Sequence, residues 1–332
     1  MMVGASGVSR EEAEVIVDVL VTGSLRGIDS HGVRAFTRFV DKHPRSTMKL
    51  LKETSATGVL DAGGAWGPVS ARKAMEIAIE KARKHGIGSC IVVNGEWIAN
   101  LSYYSMMAQR NEMIGIAVAR EGPICAPWGG TKPVTGTNPM SIAIPSGSEL
   151  PIVLDFATTI VSQGQVKTRL LEGKEIPRDW LINRRGEPIE EGELTLDNLD
   201  DFWKGGGALL PFGTYKGYGI NLVIDILGGA LNLSGTGSRA KGQGVLMTAL
   251  NVDAFVPVKE FIAEVNRLVR EIKSSPVRRG FTEVLLPGEM EHRVMQKRKK
   301  DGIPIDDISW QNIVNACSKL RLDTNSVVSQ ST

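Results

Sequence analysis

Gly235-Thr236-Gly237-Ser238-Arg239-Ala240 spells G-x-G-x-x-A, the letter pattern of a dinucleotide-binding turn, and its reading decides the fold. That pattern works only when a strand precedes the first glycine and a helix opens at the last position, so that a pyrophosphate meets a helix N-terminus. Here the residues just upstream, 219–231, have the apolar spacing of a helix. The elements around the glycines are in the wrong order for that cradle. Neither G-x-x-x-x-G-K-[ST] nor G-x-S-x-G occurs, which removes the P-loop and the serine-hydrolase elbow. A dinucleotide, if one binds, is expected to bind differently.

Outward from that turn, local signals set the elements. Ser9-Arg10-Glu11-Glu12 has capping-box spacing, and Ala13, Ile16, Val17, Leu20 and Val21 recur every three or four residues, so a helix starts near Arg10. A second helix is expected over 68–85, with Pro68 in its first turn and Gly86 as its stop. Between 86 and 157 the pattern becomes β-rich, with runs at 90–93, 114–118, 141–144 and 152–154. Another β run covers 245–250, and an amphipathic helix covers 258–273. Residues 190–204 are acidic and aperiodic and read as an excursion from the sheet, and the chain after Leu322 reads as a polar tail.

Composition narrows the class. With 332 residues, 42% hydrophobic and 23% charged, the chain is long enough for one large core or two smaller ones. A net charge of +2 argues against nucleic acid or an anionic membrane as partner. The basic run at Arg293, Lys297, Arg298, Lys299 and Lys300 reads as a solvated helix face. Cys90, Cys125 and Cys317 are odd in number and far apart, which supports neither a disulfide framework nor a thiolate metal site and suits a reducing compartment. No leader pattern and no membrane-length apolar run is present, so a cytoplasmic location is expected.

Four segments carry the chemistry: Gly27-Ile28-Asp29-Ser30-His31-Gly32-Val33, Gly136-Thr137-Asn138-Pro139, Asp155-Phe156-Ala157-Thr158, and 210–219 around Tyr215-Lys216-Gly217. His31 has the one side chain that exchanges a proton near neutrality, and it equally suits a hydrogen-bonded histidine that only fixes a turn. Asn138, restricted by the following proline, either presents its amide at a strand edge or makes a turn. Asp155 ends an apolar strand, where α/β folds receive ligands, or opens a solvated turn. Lys216, with glycine on both sides of its turn, suits a phosphate or carboxylate, or is a surface lysine.

Together with Ala65-Trp66-Gly67, Ala126-Pro127-Trp128-Gly129-Gly130, Ile176-Pro177 with Trp180, and Pro287-Gly288-Glu289, these segments resemble the malate/L-lactate dehydrogenase family of non-Rossmann type. That family includes ureidoglycolate and sulfolactate dehydrogenases and cyclic imino-acid reductases, and the resemblance covers nearly the whole chain. It implies an α/β sandwich domain over 61–289 that carries NAD or NADP, and a small helical domain from both chain ends, 1–60 and 290–332. It also implies a homodimer acting on a small 2-oxo or 2-hydroxy acid. By the resemblance, Glu121, Asn138, Asp155, Phe156, Ala157 and Lys216 are the expected cofactor contacts, and Ser30 and His31 belong to the catalytic group.

Three departures accompany the resemblance. Where the family reads N-S-x-H-x-G, with the histidine as proton acceptor, this chain has Asn94-Gly95-Glu96-Trp97-Ile98-Ala99. Indole donates only and cannot take up a proton. His31, Lys132 or Glu96 is then expected to replace Trp97 in that role, or the chain is a cofactor-binding protein without turnover. Arg34 stands one place earlier than the family's arginine, a rotation of roughly 100° on a helix. The family's first helix has no counterpart before Ser9.

Overall fold

The computed structural model describes residues 8–40, 47–147 and 150–320, so the expected polar tail after Leu322 lies outside the described residues. Helix α1 (Arg10–Leu25) begins with the expected reciprocal cap: Ser9 Oγ accepts from the Glu12 amide, and Glu12 reaches back to the Ser9 amide. Its Ile16, Val19 and Leu20 are buried. The turns Asp29–His31 and Val33–Phe39 follow.

Next come strands β1 (Lys49–Glu53) and β2 (Thr57–Asp61), then helix α2 (Gly67–His85). Helix α2 stops where Gly86 takes φ 83°, a conformation that costs glycine nothing. Strand β3 (Ile87–Val93), helix α3 (Ser102–Gln109) and strands β4 (Met113–Arg120), β5 (Met140–Ile144) and β6 (Ile152–Phe156) complete the first half.

The second half begins with helix α4 (Gln163–Leu171), the two-residue strands β7 (Leu181–Ile182) and β8 (Ala208–Leu209), and helix α5 (Leu199–Lys204) between them. Helix α6 (Tyr215–Asp225) runs on into a π-turn at Ile226–Ala230. Strand β9 (Gly244–Asn251) and helices α7 (Val258–Lys273), α8 (Glu289–Asp301) and α9 (Asp307–Lys319) finish the chain.

Seven strands form one sheet in the order β1-β2-β3-β9-β4-β5-β6. Only β2 and β3 run parallel; every other pair in that sheet is antiparallel. A dinucleotide fold of the Rossmann kind needs a mostly parallel sheet with a switch point, so the topology excludes it. Helices α2 and α3 pack on β3, β9, β4 and β5, and the end of α6 with its π-turn also packs on β4 and β9. This is the expected α/β sandwich. Gly235 and Gly237 sit in a loop and a single 3-10 turn that precede β9, with no helix opening after them.

The first sixty residues are not all helical, because β1 and β2 pair at the edge of the main sheet. The helical N-terminal part, α1 and the 29–39 turns, shares one apolar cluster with α2, β3 and α9, through Ile16, Phe36, Phe39, Met75, Ile313 and Cys317. Residues 160–209 build a lobe with its own small core of Val166, Leu181, Ile189 and Leu209, packed by Trp180, Phe202 and Trp203. The acidic stretch 190–204 belongs to this lobe and ends in α5.

Met247, fully buried on β9 at the centre of the sheet, pairs with Cys90 on one side and Ala117 on the other. Replacing it by alanine is expected to cost about 3 kcal/mol through lost burial and the cavity left behind. A thermal melt several degrees below that of the parent checks this; an unchanged melt contradicts the sheet centre described here.

Candidate active site

A cleft of about 1720 Å³ lies between the sheet's end, the lobe and the 27–39 turns. His31 stands on its wall, and its position follows from local contacts. Ser24, in the last turn of α1, accepts from the Val33 amide at 3.0 Å. A Cβ on Gly32 would come within 2.1 Å of Ser24 Oγ, so only glycine lets the turn sit this close to the helix. Arg298 of α8 grips Asp29 with two nitrogens, at 2.5 and 3.0 Å, and also donates to the Ser24 carbonyl. The basic run is therefore not only a solvated face: Arg298 holds this turn and Arg293 pairs with Glu283 and the buried Glu289, which its charge pattern alone did not reveal.

Ser30 Oγ lies 2.9 Å from His31 Nδ1. When Nδ1–H donates to that oxygen, Nε2 presents a lone pair to the cleft. Withdrawal from water, helped by the positive charge of Arg38, holds the imidazole down to about 4, so it is neutral at pH 7. The Trp97 ring lies 5.5 Å from the His31 ring, and the Arg38 guanidinium lies 4.7 Å from the Trp97 ring centre. Glu96 lines the same cleft, but Lys132 does not: it is exposed, and only its neighbour Pro133 reaches the wall.

The expected cofactor residues divide into two groups. Glu121, Asp155, Phe156 and Ala157 line the cleft. Burial raises the Glu121 carboxyl above its usual range, opposed by donation from Thr137 Oγ1 at 2.5 Å and Gln243 Nε2 at 3.0 Å. Burial likewise lifts Asp155 to about 6, although its Oδ2 accepts from the Ser102 amide at 2.9 Å and so caps α3. Asp155 is thus neither solvated nor idle.

Asn138 and Lys216 lie off the cleft wall. Asn138 is fully buried at φ 37°, a strained region for a residue with a side chain. Its amide nitrogen donates to the Asn221 carbonyl and to Asp225 Oδ2, both at 3.1 Å, and its oxygen accepts from the Glu121 amide at 3.1 Å. Asn221 in turn donates to the Gly136 carbonyl at 2.9 Å and to Thr158 Oγ1 at 2.8 Å. The asparagine is a hub that ties together the three loops bordering the site. Lys216 is exposed at the start of α6, its Nζ 6.0 Å from the Tyr215 ring. Asp155 lines the cleft and Lys216 does not.

Sequence reasoning passed over Arg38, Gln243 and the start of α4. Gln243 bridges the Ile98 amide, at 2.9 Å, to Glu121, and so links the Trp97 loop to β4. Helix α4 begins at the cleft, with Gln163 and Gly164 on its wall, and Ser162 and Gln165 form a reciprocal cap. A capping box at Ser162-Gln163-Gly164-Gln165 was the available signal.

This fold and site define a class, and comparison with known proteins places the chain in it. The sequence matches the malate/L-lactate dehydrogenase family over residues 2–314. It is 36% identical over 322 residues to a malate dehydrogenase of Pyrococcus abyssi, covering 90% of this chain and 86% of that protein. It is 34% identical to the L-sulfolactate dehydrogenase of Methanocaldococcus jannaschii, covering 96% and 93%. The crystal structure of malate dehydrogenase from Entamoeba histolytica superposes with a TM-score of 0.90 at 27% identity, covering 97% of this chain and 95% of that one. The chain belongs to the malate/L-lactate dehydrogenase family, a family of oxidoreductases acting on CH–OH groups.

Among the shifted groups in the site, His31 gives a slope of stability with pH opposite to that of Asp155 and Glu121. As pH falls from 6.5 towards 4, the unfolded chain protonates its histidine before the folded one does, so His31 makes folding less favourable. Over about the same window the folded state takes up the Asp155 proton first, which favours folding. His31→Gln removes only the first effect and is expected to gain stability relative to the parent between pH 7 and pH 4.5. Urea midpoints at the two pH values measure this; a difference independent of pH would show that His31 is not held neutral.

Proposed function

We propose that this chain is an NAD(P)-dependent oxidoreductase that acts on a small 2-hydroxy or 2-oxo acid such as malate, lactate or sulfolactate. The observation that carries the reading is a neutral His31, oriented by Ser30 and set in a cleft large enough for a dinucleotide. The residues present fit a nicotinamide nucleotide. Phe156, Ala157 and Ile160 give an apolar wall for a flat ring, and the first amides of α4 are the donors that a helix leaves unpaired for phosphate. NAD or NADP, when bound, supplies or accepts the hydride at its nicotinamide ring. His31 Nε2 takes the hydroxyl proton as the 2-hydroxy acid is oxidised and returns it to the carbonyl oxygen in the reverse direction. Trp97, at the family's proton-acceptor position, has no lone pair for that exchange.

Homodimerisation belongs to the same proposal. Helix α6 and the residues after it expose Tyr215, Val223, Ile226, Leu231 and Leu233, an apolar face suited to a second copy of the chain. Lys216 opens that face, and only in a dimer does it meet a nucleotide. The three free cysteines are all buried, in keeping with a cytoplasmic location. A second reading, a cofactor-binding protein without turnover, is favoured by the indole at position 97 alone. Under that reading Trp97→His gains activity from a parent that has none.

His31→Ala is expected to slow NAD(P)H-dependent reduction of 2-oxo acids by about 10²–10⁴-fold, the range for loss of a positioned acid–base group. In the oxidative direction, kcat/KM is expected to hold from pH 7 to about 5 and to fall only as His31 protonates near 4. An alanine variant as fast as the parent would remove His31 from the mechanism.

A further inference from the structure

Two arginines reach the cleft from the Val33–Phe39 turn, and their situations differ. Arg34, the residue nearest in sequence to the family's arginine, is engaged by Asp306 at 3.1 Å. Arg38 makes no ion pair with a carboxylate among the described residues and remains exposed to the cleft. Its guanidinium lies over the Trp97 indole. Its charge reaches the site, since it lowers the basicity of His31 and favours the ionised form of Glu121. Glu121 does not neutralise it at contact distance, and both Glu121 oxygens already accept from Thr137 and Gln243.

A guanidinium placed over an aromatic ring makes a cation–π contact and keeps N–H groups for a two-point grip on a carboxylate. We infer that Arg38, held over the Trp97 ring beside His31, is the carboxylate anchor for the 2-oxo or 2-hydroxy acid in this chain. Trp97 then has a task of its own. It is the platform that holds Arg38 in place, and the ring it shares with His31 fixes the spacing between the anchored carboxylate and the proton-exchanging nitrogen. Two departures in the sequence, the displaced arginine and the missing histidine, reduce to one rearrangement of the substrate pocket.

The inference rests on the dehydrogenase reading, and the test separates the two. The full-length protein is saturated with NADH or NADPH, whichever it binds, and titrated with oxamate, an unreactive 2-oxo acid isostere with one carboxylate. Arg38→Gln is expected to weaken oxamate by about 30-fold or more, while the reduced cofactor binds within about twofold of the parent. Arg38→Lys, which keeps the charge but loses the fork, is expected to fall between the two. Trp97→Ala is expected to weaken oxamate by about 3–10-fold through loss of the stacked face. Arg38 is exposed, so its variants are expected to keep the parent fold, and circular dichroism checks this for them and for Trp97→Ala, whose ring packs on the core. If Arg38→Gln binds oxamate within about threefold of the parent while the cofactor still binds, the anchor is elsewhere. If the parent binds no reduced cofactor, the dehydrogenase reading fails and the anchor fails with it.

Discussion

The site depends on one fully buried amide. Asn138 lies where strand β5 begins, and its side-chain hydrogen bonds reach β4's exit at Glu121 and helix α6 at Asn221 and Asp225. Through Asn221 and Thr158 the same network reaches the exit of β6. Inside a protein, a polar group without partners costs more than a hydrogen bond gains, so the loops that border the cleft are held in one arrangement or the network breaks. The strained backbone at Asn138 is sustained by these contacts. Such strain is found where surrounding structure over-determines a residue, commonly beside an active site.

A second restraint holds the opposite wall. Arg298, near the C-terminal end of α8, closes on Asp29 across most of the chain's length, and so sets the turn that carries Ser30 and His31. The pair is largely withdrawn from solvent and makes two parallel bonds, so it is a geometric clasp more than a surface ion pair. Between the two walls the groups do separate work. Asp155 caps α3 at the sheet's end, Glu121 is gripped by Thr137 and Gln243, and His31 lines the cleft with Ser30 on its Nδ1.

Much of the fold was legible in the sequence because its signals are local. The Ser9 and Gly86 boundaries, the β-rich runs that became β3 to β6 and β9, and the amphipathic α7 all follow from residues within a turn or two. The rejection of Gly235–Ala240 as a phosphate cradle was legible for the same reason. What was not legible depends on distant partners. Strand β1, Lys49–Glu53, is exposed along its whole length and shows no alternation, so only its pairing with β2 makes it a strand. Helix α3 is short and capped by Asp155, far along the chain. Arg38 became meaningful only once the fold laid it over Trp97, and Lys216, prominent among its glycines, lies exposed off the cleft wall.

The central claim is that this cleft seats a reduced nicotinamide nucleotide. Trp66, Trp97, Trp180 and Trp203 all line it, four of the chain's six tryptophans. Titration with NADH and with NADPH, followed by tryptophan emission, tests the claim most directly. The account predicts saturable quenching by at least one of the two; tryptophan emission indifferent to both in the folded protein would contradict it.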